Sequence, residues 1–182
     1  MNIEELLSSH LSRSFVDHLV ESIIEQPPLF DQLYPLVFSD NTKAAWRAAW
    51  VLAHLQIKIP TLFDDKIPEI IRFIPLAKHD GIKRSLIYIV SNANINDYPV
   101  DFINLCFDWM LSPKQAPAIQ VYCMRTLYRV CKIYPDFRPE LQACLDNVEQ
   151  ADYSNGFNAA RRNMLKQLHK DKITIFFKTD FP

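Results

Sequence analysis

The fold is decided by four stretches that share one helical pattern: DNTKAAWRAAWVLAHL (residues 40–55), DGIKRSLIYIVSNA (80–93), AIQVYCMRTLYRVCKIY (118–134) and SNGFNAARRNMLKQL (154–168). An arginine stands at a comparable place in each, and neighbouring arginines are 37, 41 and 36 residues apart: Arg47, Arg84, Arg125 and Arg161. Self-similarity at this period is typical of stacked helical pairs, each too small to bury its own apolar face. The pattern predicts an all-α fold, a right-handed α–α superhelix (solenoid) of about four helix pairs.

The apolar residues of these stretches recur at helical spacing, which makes each stretch the second helix of a pair. The apolar stripes are Ala45, Ala49, Leu52 and Ala53 in 40–55; Ile82, Leu86, Ile89, Val90 and Ala93 in 80–93; Ile119, Cys123, Leu127, Val130 and Tyr134 in 118–134; and Phe157, Ala160, Met164, Leu165 and Leu168 in 154–168. The first helices are predicted in between, each starting near a proline: 28–38, 60–77, 99–111 and 135–148. The internal prolines Pro68 and Pro139 either kink these helices or mark their true first turns.

The chain is predicted to be one domain over residues 1–182. Residues 1–26 are assigned to an amino-terminal cap, 27–170 to the helix pairs and 171–182 to a carboxy-terminal tail. The last ten residues, ITIFFKTDFP, carry no helical signal. We expect them to be extended and to pack their phenylalanines on the last repeat, because three exposed phenylalanines would promote aggregation.

The composition excludes several protein classes. Only two glycines occur, too few for the tight turns of an all-β or Rossmann-like protein. The four cysteines lie in helical patterns without C-x-x-C spacing, which favours reduced core thiols over disulfides or zinc ligands. The amino terminus lacks an apolar signal region, and no apolar run reaches transmembrane length. These features predict a cytoplasmic protein with no membrane partner.

A family resemblance follows from the repeated pattern. An Asp or Asn opens the second helix, an arginine follows, the apolar stripe is rich in alanine, and a proline stands near the start of the first helix. These features resemble HEAT repeats over Pro28 to Lys170, and the irregular repeats are similar to those of the DNA-alkylation-repair subgroup. The resemblance implies a solenoid whose second helices line a concave surface.

The net charge of −1 hides a separation of charge along the chain. Counting Lys and Arg against Asp and Glu, the second helices together carry +12 and the remaining segments −13. Because residues two apart are about 200° apart around a helix, many of the basic side chains are expected opposite the buried stripe. The HEAT resemblance then implies a basic concave groove with Trp50, Tyr88 and Tyr128 near its floor, and an acidic convex face.

We name the predicted binding residues the basic ridge: Arg47, Trp50, Arg84, Tyr88, Arg125, Arg129, Arg162, Lys166 and Lys170. Basic groups mixed with aromatic rings suit either an acidic protein surface or a nucleic acid backbone. Among them, Arg125, Arg129, Arg162 and Lys166 are predicted to form one contiguous solvent-facing patch. An alternative remains open, in which the aligned arginines pair internally with carboxylates such as Asp40 and Asp80.

The leading hypothesis is a non-enzymatic scaffold that binds an acidic partner through the basic ridge. The alternative is a DNA-binding repair protein of the alkylation-repair glycosylase type, and a third is a structural protein whose charges are all internally paired. The sequence offers no catalytic residue, cofactor or metal site. Its five histidines make no zinc-binding spacing, and two distant glycines cannot form a phosphate loop. The cysteines on the apolar stripe lack an evident base for nucleophilic catalysis.

Overall fold

The computed structural model describes residues 3–9 and 12–179, with side chains to Asp171 except that of Ser9. Over these residues the chain forms ten α-helices and no strand. They are α1 (Ile3–Ser9), α2 (Arg13–Glu25), α3 (Pro28–Leu33), α4 (Thr42–Lys58), α5 (Ile67–Phe73), α6 (Asp80–Asn92), α7 (Val100–Leu111), α8 (Pro117–Ile133), α9 (Phe137–Asp146) and α10 (Asn155–Thr179). The predicted all-α fold class is confirmed.

Short 3-10 helices interrupt or extend the first helices of the pairs. They lie at Tyr34–Phe38, Pro60–Phe63, Ile74–Leu76 and Gln150–Asp152. Pro68 occupies the first turn of α5, where a missing N–H costs no intrahelical hydrogen bond. It therefore marks the true first turn of that helix and does not kink it, and Pro139 likewise lies in the first turn of α9.

The residues group into two compact units, Met1–Asn94 (unit 1) and Ile95–Pro182 (unit 2). In unit 1, α4 packs against α6 and the 3-10 helix Tyr34–Phe38, and α5 packs against α6. In unit 2, α8 packs against α7, α9 and α10, and α9 packs against α10. Each predicted second helix thus contacts its first helix. That 1–182 acts as a single domain stays a prediction.

Two of the second helices, α4 and α10, begin at a capping side chain. The Asn41 side-chain oxygen accepts a hydrogen bond from the Ala44 N–H at 3.2 Å, and the Ser154 hydroxyl accepts one from the Phe157 N–H at 3.1 Å. Each bond satisfies a backbone donor that has no partner within the helix. The first turns of α4 and α10 are therefore fixed locally.

The core follows the predicted stripes, but its extent differs between helices. All five stripe residues of α6 are buried. Helix α4 is buried well beyond its stripe, at Ala44, Ala48 and Val51 among others, since α1, α2 and α6 all pack on it. The stripe of α10 is only partly covered, with Phe157 buried and Met164 half-buried.

The expected extended tail is wrong over residues 173–179, because α10 continues as a helix to Thr179. Adding a residue to an existing helix costs far less than nucleating one, and β-branched residues lower helix propensity by only about 0.5 kcal/mol each. No proline or glycine interrupts this stretch. Residues 180–182 and the expected packing of the tail phenylalanines lie outside what the structure describes.

Candidate binding surface

Arg47, the first aligned arginine, is held by the fold of unit 1. Its side chain is half-buried and donates a hydrogen bond from Nη1 to the Leu7 carbonyl, in the last turn of α1. Carbonyls at a helix end lack intrahelical donors, so a guanidinium there replaces the missing N–H groups. Asp80, one of the carboxylates considered as an arginine partner, instead pairs with Lys83 of its own helix at 3.6 Å.

The other ridge residues of unit 1 differ in exposure. Arg84 is exposed, whereas Trp50 and Tyr88 are half-buried. The Trp50 ring lies against the His54 ring, with centroids 5.7 Å apart. Burial, together with the nearby Arg13 charge, lowers the pKa of His54 below its ordinary value, although Asp17 opposes the shift. His54 is therefore neutral at pH 7 and adds no charge to this face.

Arg161 of unit 2 repeats the arrangement of Arg47 in a more buried form. It is 8% exposed, and its guanidinium donates to the Leu145 carbonyl and, at 3.3 Å, to the Asp146 carbonyl. These two carbonyls end α9. Two of the four aligned arginines, Arg47 and Arg161, thus donate to backbone carbonyls near helix carboxy termini.

Three ridge cations of unit 2 are exposed: Arg125 on α8, and Arg162 and Lys166 on α10. Within residues 3–9 and 12–179, none of the three forms an ion pair. The Arg125 guanidinium carbon lies 5.5 Å from the centroid of the Tyr122 ring, a cation–π distance. Because α8 and α10 pack against each other, the three cations belong to neighbouring helices.

Arg129 differs from these three because it is half-buried and lies beside Tyr98. Tyr98 is 2% exposed, and burial raises the pKa of its hydroxyl while the Arg129 guanidinium opposes the rise. Part of the Arg129 charge therefore faces the interior of unit 2. This contact could not be read from the sequence, because Tyr98 lies in the segment before α7, far from α8 along the chain.

A polar cluster around Asp171 was missed by the sequence analysis. The Asp171 carboxylate accepts hydrogen bonds from the Tyr128 hydroxyl at 2.7 Å and from the Gln167 amide at 3.1 Å. Arg138 lies 4.0 Å from the same carboxylate and donates to the Leu168 carbonyl. The Lys132 ammonium lies over the Tyr128 ring, 4.7 Å from the ring centroid. Only the Gln167–Asp171 and Tyr128–Lys132 contacts, each between residues four apart on one helix, could have been found from sequence spacing.

The described residues contain no group of three or more His, Cys, Asp or Glu side chains arranged to hold a metal ion. In the same part of the chain, no helix is long and apolar enough to cross a membrane. The exposed cations and the aromatic rings of the basic ridge remain the candidate binding groups.

A comparison with known protein families identifies the family of this chain. The model of the HEAT repeat domain matches residues 3–168. The chain belongs to the HEAT repeat family. This family is built as an α–α solenoid, and HEAT repeat domains generally act as protein-binding scaffolds. Searches of curated proteins and of solved structures found no match.

Proposed function

We propose that this HEAT repeat chain is a non-enzymatic binding module that holds an acidic surface of a partner protein through the exposed cations of its basic ridge. One observation carries the proposal. Arg125, Arg162 and Lys166 are exposed on neighbouring helices, without a carboxylate partner among the described residues. An acidic partner would supply those carboxylates.

The contacts divide the ridge into binding and supporting residues. Arg84 is exposed like the three cations of unit 2, so we assign it to partner binding as well. Trp50 and Tyr88 are half-buried, so part of each residue remains accessible to a partner. Arg47 is assigned to the fold, because its guanidinium binds the end of α1.

The remaining members of the ridge, Arg129 and Lys170, lie on the same two helices as the exposed cations of unit 2. Arg129 is half-buried against Tyr98, and Lys170 is exposed next to the Asp171 cluster. Both carry positive charge close to the proposed surface but engage other groups of the chain. We assign them a supporting electrostatic role.

The small energy of a single exposed ion pair means that binding requires several cations acting together. One exposed ion pair contributes only about 0.2–1 kcal/mol, so useful affinity requires several cations together with the packing of nearby rings. Charge complementarity also speeds diffusional encounter, and that effect falls with added salt. Binding through this face should therefore weaken steadily as the ionic strength rises.

The proposal is tested by charge reversal on α10. A fluorescein-labelled deca-glutamate peptide serves as the acidic probe, and its binding is measured by fluorescence anisotropy at low salt. We expect Arg162→Glu with Lys166→Glu to weaken binding about tenfold or more, since two attractive charges become repulsive. The melting temperature should stay nearly unchanged, because both side chains are exposed.

The matched control reverses two exposed cations outside the ridge, Arg72→Glu with Lys114→Glu, which changes the net charge equally. A similar loss of binding in this control would show that only net charge matters, and the proposed surface would be wrong. A large drop in melting temperature for the α10 variant would instead show that Arg162 and Lys166 support the fold.

The alternative function, DNA repair by a glycosylase of the alkylation-repair type, can be distinguished from a scaffold by its reaction product. A glycosylase releases a modified base from duplex DNA, whereas a scaffold only binds. Incubating the protein with methylated duplex DNA and assaying free methylated base should yield none. Release of the base at a rate above that of the protein-free control would overturn the non-enzymatic proposal.

A cytoplasmic location, suggested by the helical cysteines, stays a prediction.

A further inference from the structure

Unit 2 contains a groove of about 510 Å3 that is separate from the basic ridge. Its apolar floor includes Leu111, Val148 and Tyr153, and its two charged lining residues are Glu149 and Asp152, both exposed. The groove lies where α7 ends and where the 3-10 helix Gln150–Asp152 follows α9. It combines an apolar surface with negative charge at the rim.

The floor of this groove is held in place before any partner arrives. The Tyr153 hydroxyl donates a hydrogen bond to the Leu111 carbonyl at 2.6 Å, which joins the end of α7 to the segment before α10. The Tyr153 ring also stacks on Phe157, with centroids 4.4 Å apart. A preformed groove binds a ligand with less loss of conformational entropy than one that must be assembled.

Both charged residues that line the groove are acidic. The segment from Glu140 to Asp152 carries four acidic residues, and no lysine or arginine occurs between Arg138 and Arg161. Helices α7 and α9 end nearby, and helix carboxy termini carry partial negative charge. The Arg161 guanidinium and the Tyr153 hydroxyl satisfy some of the terminal carbonyls, but neither places a cation among the lining residues. The groove is therefore complementary to a positively charged group.

We propose that this groove binds a segment of a partner protein that carries a lysine or arginine next to an apolar residue. The apolar stem of the basic side chain and its apolar neighbour would cover Leu111 and Val148, and the charged head would lie between Glu149 and Asp152. Long basic side chains bind in this way, with the stem on an apolar surface and the head at a polar rim. Since this surface has the opposite charge to the basic ridge, the inference is independent of the proposed function.

The test uses synthetic peptides as probes. A labelled Gly-Leu-Lys-Leu-Lys-Gly peptide is titrated with the full chain and followed by fluorescence anisotropy, beside a peptide with Glu in place of both Lys. We expect the lysine peptide to bind and the glutamate peptide not to bind. Glu149→Gln with Asp152→Asn should weaken the lysine peptide about tenfold, while Asp101→Asn with Asp136→Asn, exposed acids outside the groove, should leave it unchanged.

A second variant blocks the groove without changing its charge. Ala143 is exposed and lines the groove, so Ala143→Phe should fill it and abolish peptide binding while the melting temperature stays near that of the wild type. Unaltered binding in both groove variants would overturn the proposal. Sedimentation of the chain without peptide tests for self-association. If the chain self-associates and the Ala143→Phe variant does not, the groove binds a second copy of the chain, and the proposal of a partner segment is overturned.

Discussion

Arg125 of α8 and Arg161 of α10 occupy equivalent places in neighbouring repeats, yet their surroundings differ completely. Arg125 is exposed beside Tyr122, whereas Arg161 is buried and binds the last carbonyls of α9. In unit 1 the same contrast separates the exposed Arg84 from Arg47, which binds the end of α1. One repeat position thus serves either the fold or the surface. Arg47 and Arg161 serve the fold because the carboxy terminus of another helix lies beside each of them.

Replacing the two arginines by methionine is expected to separate these roles most strongly. Arg161→Met leaves the carbonyls of Leu145 and Asp146 without their donor and should lower the free energy of unfolding by about 2–3 kcal/mol. Arg125→Met should change it by less than about 0.5 kcal/mol, as is usual for an exposed position. Urea denaturation followed by circular dichroism measures both. Equal effects would mean that Arg161 does not stabilise the fold through α9.

A smaller effect should distinguish the two glycines, which also occupy equivalent places, each at the second residue of its helix. A Cβ atom on Gly81 would lie 2.2 Å from Cδ1 of Trp46, whereas on Gly156 its nearest neighbour would be the Ser154 hydroxyl at 3.8 Å. We expect Gly81→Ala to cost about 1–3 kcal/mol by overpacking. Gly156→Ala should stabilise by about 0.4–1 kcal/mol, because alanine restricts the unfolded chain.

Thermal denaturation of both glycine variants provides the measurement. The double variant Trp46→Leu with Gly81→Ala should recover part of the loss, since the shorter side chain leaves room for the methyl group. An undiminished melting temperature in Gly81→Ala alone would show that Trp46 can move without cost. The close approach of Trp46 to Gly81 would then not be the reason for a glycine at position 81.

The smallest expected effect concerns His54, which lies on the ridge-bearing helix of unit 1. Its pKa in the folded state is below 6.5, so the unfolded chain takes up the proton first as the pH falls. The associated stability is complete above pH 6.5 and is lost below it. His54→Gln should therefore reduce the fall in unfolding free energy between pH 7 and pH 5. An identical fall in wild type and variant would contradict this assignment.

Most of the fold could be predicted from the sequence because helical periodicity is a local property. The stripe of α6 is buried at every predicted position, and the prolines and capping residues mark the helix starts. Burial of α4 beyond its stripe could not be predicted, because it depends on α1 and α2 packing over it. The continuation of α10 into the tail was open to prediction, because residues 173–179 contain no proline or glycine that would stop a helix.

The candidate site was less predictable, because exposure depends on tertiary neighbours. The exposure of Arg162 and Lys166 agrees with their offset from the stripe. The half-buried position of Arg129 depends on Tyr98, and the roles of Arg47 and Arg161 depend on where distant helices end. No spacing within a single helix contains that information.

The burial of α4 has a consequence for how this chain can change through evolution. Its alanines at positions 44, 45, 48 and 49 are all at most 1% exposed, so neighbouring helices approach its backbone closely and a larger side chain has no space. The stripe of helix α10 is only partly covered, so several of its positions are open to solvent. Substitutions should therefore accumulate slowly in α4 and readily in α10. New partner specificities can arise at the carboxy-terminal repeat while the amino-terminal repeats stay fixed.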